Sequence, residues 1–218
     1  GETMIKVFIA DDHAVVRDGV RHILERSGGF EVVAEAEDGT QVCSQLRQHR
    51  SDVIVLDLSM PGRSGLELIK QIRTEFPGLR ILVLTMHAEE EYVRRAFRAG
   101  ASGYLTKESA ATELVAATGK VASGGTYVSQ AIGEKLATGL QGGTEQLPHL
   151  SLSDREMEVF RRLVLGETVS AIAAGLCVSA KTISTYKMRL MEKLGLPNEA
   201  ALVRYAIRHG LFGDDATL

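Results

Sequence analysis

Five polar residues in this chain each stand at the end of a short aliphatic run. Asp11 and Asp12 follow "IKVFIA", Asp57 follows "VIVL", Thr85 follows "RILVL", and Lys107 follows "SGYLT". Taken singly, each has an ordinary explanation: the aspartates as caps of following helices, the threonine as a β-compatible residue, the lysine as a solvated charge. Gathered in one place they do not. At 4 Å and an effective dielectric of ~20, each carboxylate pair repels by about 4 kcal/mol, so three of them together call for a cation. Oxygen donors alone, few and without a dedicated cage, suit Mg²⁺ better than zinc or calcium. A carboxylate beside Mg²⁺, a hydroxyl and an ammonium can host phosphoryl transfer. The metal and Lys107 would neutralise phosphoryl charge while Thr85 donates a hydrogen bond.

The gathering depends on the elements that carry these residues. Apolar runs at 5–10, 30–36, 52–58, 80–86 and 102–107 alternate with stretches of helical spacing. Those stretches are Val16, Val20, Ile23 and Leu24; Val42 and Leu46; Leu66, Ile69 and Ile72; and Leu114, Val115, Thr118 and Val121. Strands apolar throughout, alternating with helices over about 120 residues, predict an α/β fold with a doubly wound five-stranded parallel sheet. In such a sheet all five polar residues fall at the carboxyl edge, where open α/β folds bind ligands. A nucleotide-binding Rossmann half would need a glycine-rich turn after the first strand, and "ADDHAVVRDG" has none.

With "LDLSMPGRSGLEL" and "AGASGYLTK" added to those five residues, the segment resembles the receiver domain of bacterial two-component response regulators, of flavodoxin-like fold, over residues 4–125. The resemblance implies that Asp57 accepts a phosphoryl group from a sensor histidine kinase or a phosphotransfer histidine. It implies that Asp12 and Asp57 ligate Mg²⁺ directly, Asp11 mainly through water, and Ser59 through its backbone carbonyl. Tyr104 matches the aromatic switch position that reorients as Thr85 moves toward the phosphoryl group. Glu108 stands where many receivers have proline after the lysine, a departure that bears on the loop and not on Lys107. His13, beside the acidic pair, has the chemistry of a ligand or a base but is expected as the solvent-facing start of a helix; His87 and Ser59 are expected to tune phosphate lifetime. An aspartyl-phosphate phosphatase would need an acid two residues after its nucleophile, and that position is Ser59.

Residues 139–150, "GLQGGTEQLPHL", carry three glycines and a proline and mark the best candidate linker, within an expected connecting segment of 126–147 of which residues 126–138 are expected to continue a helix. Beyond it the pattern is helical throughout. Ser153 with Glu156 forms a capping-box start, Gly166 closes that helix, and Val169, Ile172, Ala173 and Leu176 make a short second one. Ser179 caps a third helix running to Leu194 ahead of Gly195, and a fourth runs from Asn198 to His209. Short helix, tight turn and longer helix predict a small all-α helix-turn-helix domain. "LSDREMEV", "GETVSAIAAGLCVSAKTI" and "KLG" resemble the LuxR-type helix-turn-helix of the NarL/FixJ response regulators over residues 148–213. "KTISTYKMRL" is most similar to regulators fed by phosphorelays.

On a helical wheel Ile183, Leu190 and Leu194 share one face with Tyr186 at its flank, and Lys181, Ser184, Thr185 and Met188 face away. Ser184, Thr185 and Met188 suit base-edge readout, and Lys181, Lys187 and Arg189 suit phosphate contacts. The resemblance therefore implies a transcription regulator, not an enzyme, that binds double-stranded DNA as a homodimer, with RNA polymerase a further possible partner. An adaptor whose helix-turn-helix has lost DNA binding is the alternative, since the outward residues are mostly neutral.

Bulk properties agree with this reading. The net charge of −3 conceals an asymmetry, a net −3 over residues 1–125 and +3 over 151–213, which permits a nucleic-acid partner for the second half. No apolar run approaches the roughly 20 residues that cross a bilayer, and the first residues lack a charged-then-apolar pattern, so no signal peptide is expected. Two distant cysteines, Cys43 and Cys177, fit a reduced cytoplasmic protein without structural zinc.

Overall fold

The computed structural model describes residues 3–62, 65–86, 89–141 and 147–212, and the chain divides into two units, 1–141 and 142–218. In the first, the strands are β1 (Ile5–Ala10), β2 (Phe30–Ala36), β3 (Val53–Leu56), β4 (Arg80–Thr85), β5 (Gly103–Thr106) and β6 (Tyr127–Val128). Its helices are α1 (Ala14–Ser27), α2 (Gly39–Gln48), α3 (Gly65–Glu75), α4 (Glu90–Ala99), α5 (Ala110–Ala122) and α6 (Gln130–Gln141). All strand pairs are parallel, in the order β2-β1-β3-β4-β5-β6. Strand order reverses between β1 and β3, so the carboxyl ends of these two strands open the crevice typical of doubly wound folds.

The central strands are buried along their whole length: Val53, Ile54, Val55 and Leu56 of β3 are at most 2% exposed. Val7, Ile9, Val55, Leu82, Leu84 and Leu105 meet Val20, Leu24, Leu114 and Val121 of α1 and α5 in one core. Burial on both faces is what continuous aliphatic runs encode. Gly65 opens α3 at a place where no side chain fits: a Cβ there would lie 2.7 Å from the Leu58 carbonyl oxygen. The helix thereby presses against the loop that follows Asp57.

Two features depart from expectation. The sheet gains a sixth strand: β6 pairs with β5 at Gly103↔Tyr127 and Tyr104↔Val128, followed by α6. The segment expected to connect the domains, 126–147, thus contributes a strand and a helix to the first unit as far as residue 141; positions 142–146 lie outside the described residues. A two-residue strand is too short to show periodicity, whereas α6 falls where residues 126–138 are expected to continue a helix and runs to Gln141. The second is α4, which no apolar spacing announces. Its sequence "EEYVRRAFRA" buries Tyr92, Val93, Ala96 and Ala99 behind the i,i+4 pairs Glu90–Arg94 and Glu91–Arg95. Charges on the first and last turns hide a narrow apolar face.

In the second unit a short 3₁₀ turn (Pro148–Ser151) precedes α7 (Asp154–Val164), α8 (Val169–Leu176), α9 (Ala180–Leu194) and α10 (Glu199–Arg208). The Ser153 hydroxyl accepts from the Glu156 N–H while the Glu156 carboxylate accepts from the Ser153 N–H, a complete capping box. Thr168, Ser179 and Asn198 cap the next three helices through side-chain oxygens. Cys177, in the left-handed region at φ 55°, closes α8 and turns the chain into α9, and Gly195 at φ 66° closes α9. Phe160, Tyr205 and Phe212 form an aromatic core. No helix among the described residues is long and apolar enough to cross a membrane.

Candidate functional site

Sheet register alone brings Asp11 and Asp57 together. Ala10 pairs with Leu56, and the Asp57 N–H donates to the Ala10 carbonyl at 2.9 Å, so the next residue of each strand emerges at the same edge. On the other side Thr85 pairs with Thr106, and the Lys107 N–H donates to the Thr85 carbonyl at 2.9 Å. Lys107 thereby reaches across the mouth of the crevice. Its Nζ lies 2.9 Å from Asp11 Oδ2 and 3.2 Å from Asp57 Oδ2. The other Asp57 oxygen, Oδ1, accepts from the Ser59 N–H at 3.0 Å.

Asp11, Asp57 and Thr85 are buried, each at most 2% exposed, whereas Asp12 is half-buried. Burial is the largest influence on Asp57 and raises its pKa; Lys107 and the Ser59 N–H oppose this, and the net displacement is upward. On Lys107, desolvation works against the ammonium but pairing with Asp57 and Asp11 outweighs it, so its pKa also rises. Burial decides for the carboxylate and pairing decides for the ammonium.

One ligand atom from each of Asp11, Asp12, His13 and Asp57 can be chosen so that all lie within 4.8 Å of one another. The donor chemistry is that of a divalent-cation site, and Asp12 Oδ1 is buried without a hydrogen bond. An orphaned carboxylate oxygen facing two further carboxylates fits a cation better than any protein donor would. His13 N-caps α1 in extended conformation, as expected of a helix start, and is largely exposed. Sequence reasoning did not place it in the cluster: its Nδ1 lies 3.0 Å from Asp12 Oδ1 and 3.4 Å from Asp11 Oδ1. The signal was its adjacency to Asp12. Arg17 was also missed; one turn into α1, its Nη1 donates to the Asp11 carbonyl at 2.7 Å.

Tyr104 is fully buried on β5, opposite Val83. In a parallel pair opposed residues share a face, so Tyr104 and Thr85, two positions beyond Val83, lie on the same side of the sheet. The Ser129 N–H, just after β6, donates to the Tyr104 carbonyl at 3.1 Å. His87 lies outside the described residues.

On α9, Ile183 and Leu190 are fully buried and Leu194 nearly so, while Lys181, Ser184, Met188 and Arg189 are exposed and Thr185, Tyr186 and Lys187 half-buried. Met188, an apolar side chain, is 66% exposed. The Thr185 hydroxyl donates to the Lys181 carbonyl at 3.1 Å, which leaves its oxygen as an acceptor. Lys187 is ion-paired with Glu199 of α10. The six proposed contact residues thus lie on the solvent side of one helix, with the Lys187 charge engaged in an ion pair.

Comparison with known proteins matches each unit. Residues 7–119 match the family model of the response regulator receiver domain, and residues 150–206 that of the bacterial regulatory proteins of the luxR family. The chain is 37% identical over 209 residues to the response regulator UvrY of Escherichia coli K12, covering 95% of this chain and 96% of the relative. It is similar to RcsB of Salmonella enterica serovar Typhimurium bound to promoter rprA in the presence of the phosphomimetic BeF3⁻. That likeness has 36% identity and TM-score 0.69, covering 93% of this chain and 98% of the other. It is also similar to the structure of two RcsB dimers bound to two parallel DNAs, at 34% identity and TM-score 0.61, covering 94% and 98%.

Proposed function

Because the chain belongs to the response regulators, with a receiver domain joined to a regulatory domain of the luxR family, we propose that Asp57 is its phosphoacceptor and that α9 reads promoter DNA. The observation that carries the first part is the Lys107 ammonium bridging Asp57 and Asp11 at the sheet edge. A carboxylate this buried is held as a nucleophile by its two hydrogen-bonded contacts, Ser59 on Oδ1 and Lys107 on Oδ2.

The donor is a phosphohistidine of a sensor kinase or phosphotransfer domain. An Asp57 oxygen attacks phosphorus, the P–O bond forms, the P–N bond breaks, and the imidazole leaves with a proton. Lys107 then shifts from the carboxylate to the phosphoryl oxygens, and the Thr85 hydroxyl donates to one of them. Asp11, Asp12, Asp57 and the Ser59 carbonyl would hold Mg²⁺, which when bound neutralises phosphoryl charge. The lifetime of the acyl phosphate belongs to signalling, so the chain is a switch and not a turnover enzyme. Thr85 and Tyr104 share a sheet face, and their repacking passes the signal toward the edge strands.

For the second part, the exposed Lys181 and Arg189 hold phosphates, and Ser184, Thr185 and Met188 meet base edges, Met188 fitting a thymine methyl. Lys187 joins the phosphate contacts once freed from Glu199. A homodimer sets two copies of α9 on neighbouring major-groove half-sites, the arrangement favoured by the likeness to RcsB dimers on DNA. Two cysteines far apart in the sequence, with no CxxC, suit a reduced cytoplasmic compartment, and contact with RNA polymerase at promoters is in keeping with the domain pair. The test is phosphodonor labelling of wild type and Asp57→Asn, with promoter binding measured alongside. Label should vanish in the variant together with phosphorylation-dependent binding, its fold intact. Equal labelling of the two proteins overturns the assignment.

A further inference from the structure

Resting on the reading of the acidic crevice as a divalent-cation site, the geometry points to His13 as an additional metal ligand. Its imidazole Nδ1 would give this receiver a nitrogen donor and a preference for Mn²⁺, Co²⁺ or Zn²⁺ over Mg²⁺. Bond lengths set the argument. Metal–oxygen and metal–nitrogen bonds of about 2.1 Å place adjacent donors of an octahedron about 3.0 Å apart. His13 Nδ1 lies 3.0 Å from Asp12 Oδ1 and 3.4 Å from Asp11 Oδ1, one separation at that edge length and the other slightly longer. The approach to Asp12 is not aligned as a hydrogen bond, since Asp12 Oδ1 is buried with none. An imidazole nitrogen 3.0 Å from a carboxylate oxygen that accepts no hydrogen bond stands where a second ligand of the same ion would stand.

The backbone fixes this arrangement. The His13 N–H donates to Asp11 Oδ1 at 2.8 Å, and His13 is held extended as the N-cap of α1 without using its side chain to cap the helix. The ring is therefore uncommitted to the helix and is 66% exposed. Lys107 occupies the opposite side of Asp11, so His13 and Lys107 flank the carboxylates from two directions. Imidazole adds little for Mg²⁺, which keeps oxygen and water ligands, and much for the later first-row divalent ions. A site of oxygens plus one imidazole ranks these cations more steeply than oxygens alone.

The test is calorimetric titration of the full chain with MgCl₂, MnCl₂ and CoCl₂ separately, in wild type, His13→Ala and His13→Asn. Mg²⁺ displacement of Co²⁺ establishes that the two ions share the site. Electron spin-echo spectra of bound Mn²⁺ report nitrogen coordination directly. Wild type should favour Co²⁺ over Mg²⁺ by at least about tenfold more than either variant does. Mg²⁺ affinity should change less than about twofold, and the nitrogen modulation should disappear in both variants. An unchanged Co²⁺-to-Mg²⁺ ratio, or equal losses for both ions, overturns the ligand assignment: in the second case His13 merely positions Asp12. Absence of Mg²⁺ binding to wild type overturns instead the cation reading on which the inference rests.

Discussion

Lys107 Nζ stands 3.2 Å from Asp57 Oδ2 at the carboxyl edge of the sheet, a nearly buried ion pair built from residues fifty positions apart. Burial raises the Asp57 pKa more than Lys107 and Ser59 lower it. The folded state therefore holds the Asp57 proton more tightly than the unfolded chain does. The stability this confers is present in acid, and it is lost as pH rises from the ordinary carboxylate range through the raised value. Asp57→Asn should flatten that decline and, in metal-free buffer, melt above wild type at neutral pH. Thermal melts across the pH series check this; a variant that tracks wild type at every pH refutes the assigned balance.

Removing the cation from that pair should cost far more than removing the anion. Lys107→Met leaves Asp11 and Asp57 facing each other without their shared ammonium, and breaking one side of a buried pair costs about 3–5 kcal/mol. Added MgCl₂ should restore part of the loss, because a divalent ion screens the same carboxylates. Denaturant unfolding with and without Mg²⁺ measures both effects. A Lys107→Met protein as stable as wild type in chelator would show that the carboxylates do not need neutralising.

In the second unit the balance has the opposite sign. Burial pushes Glu156 up, but hydrogen bonds from Lys193 at 2.5 Å and from the Ser153 N–H at 3.0 Å hold its pKa below the usual value. This stability is present above the ordinary glutamate range and lost as pH falls through the lowered value. Glu156→Gln should blunt the acid transition of the helical unit. Ser153→Ala should cost about 1 kcal/mol through the lost cap. Circular dichroism melts from neutral pH down to below the ordinary glutamate range distinguish the two variants, since the glutamine variant removes the titrating group whereas Ser153→Ala removes one of the hydrogen bonds that lower its pKa.

DNA binding offers a prediction that turns on a single ion pair. Lys187 is bonded to Glu199 in the free protein, so part of its charge is already spent. Glu199→Gln should tighten binding to all sequences and steepen the salt dependence toward one further phosphate contact, a slope change of up to ~0.9. Lys181→Ala, removing an exposed lysine, should weaken binding generally and reduce the slope by about 1. Met188→Ala should alter base preference and leave the slope alone. Titrations at several salt concentrations separate these; an unchanged slope in Glu199→Gln would mean Lys187 stays off the phosphates.

What the sequence made legible follows from how each feature is encoded. Asp57 was readable because a continuous aliphatic strand must be buried, and a carboxylate at its end must be explained. Asp11, Thr85 and Lys107 were readable for the same reason, strand by strand. The caps Ser153, Ser179 and Asn198 were readable because capping is a local exchange of hydrogen bonds. His13 was not, since whether an imidazole beside two aspartates meets solvent or a shared cation depends on a backbone angle at the helix entry. Nor was the apolar face of α4, because the i,i+4 pairs Glu90–Arg94 and Glu91–Arg95 interrupt the spacing of Tyr92, Val93, Ala96 and Ala99. The pairing of Lys187 with Glu199 was hidden because it joins two helices through a turn.

Least legible was the segment after α5, where two strand residues show no period and the expected helix has no clear boundary. Its attachment is nonetheless specific. The Tyr127 N–H donates to the Ser102 carbonyl and the Ser129 N–H to the Tyr104 carbonyl, each at 3.1 Å. Glu113 of α5 accepts from the Tyr127 hydroxyl at 2.9 Å and from the Gln130 N–H at 3.2 Å. Ile132 of α6 is 1% exposed. Because Tyr104 is itself the expected switch residue, β6 is bonded to the backbone that would move. In the full chain, the amides of Tyr127 and Ser129 should therefore exchange as slowly as those of β5, and Ile132→Ala should cost about 2–5 kcal/mol. Glu113→Ala should speed exchange at residues 127–130 without touching β1 or β3. Fast exchange at residues 127–129 in wild type, or a cost under ~0.5 kcal/mol for Ile132→Ala, would show the segment to be a free tether after all.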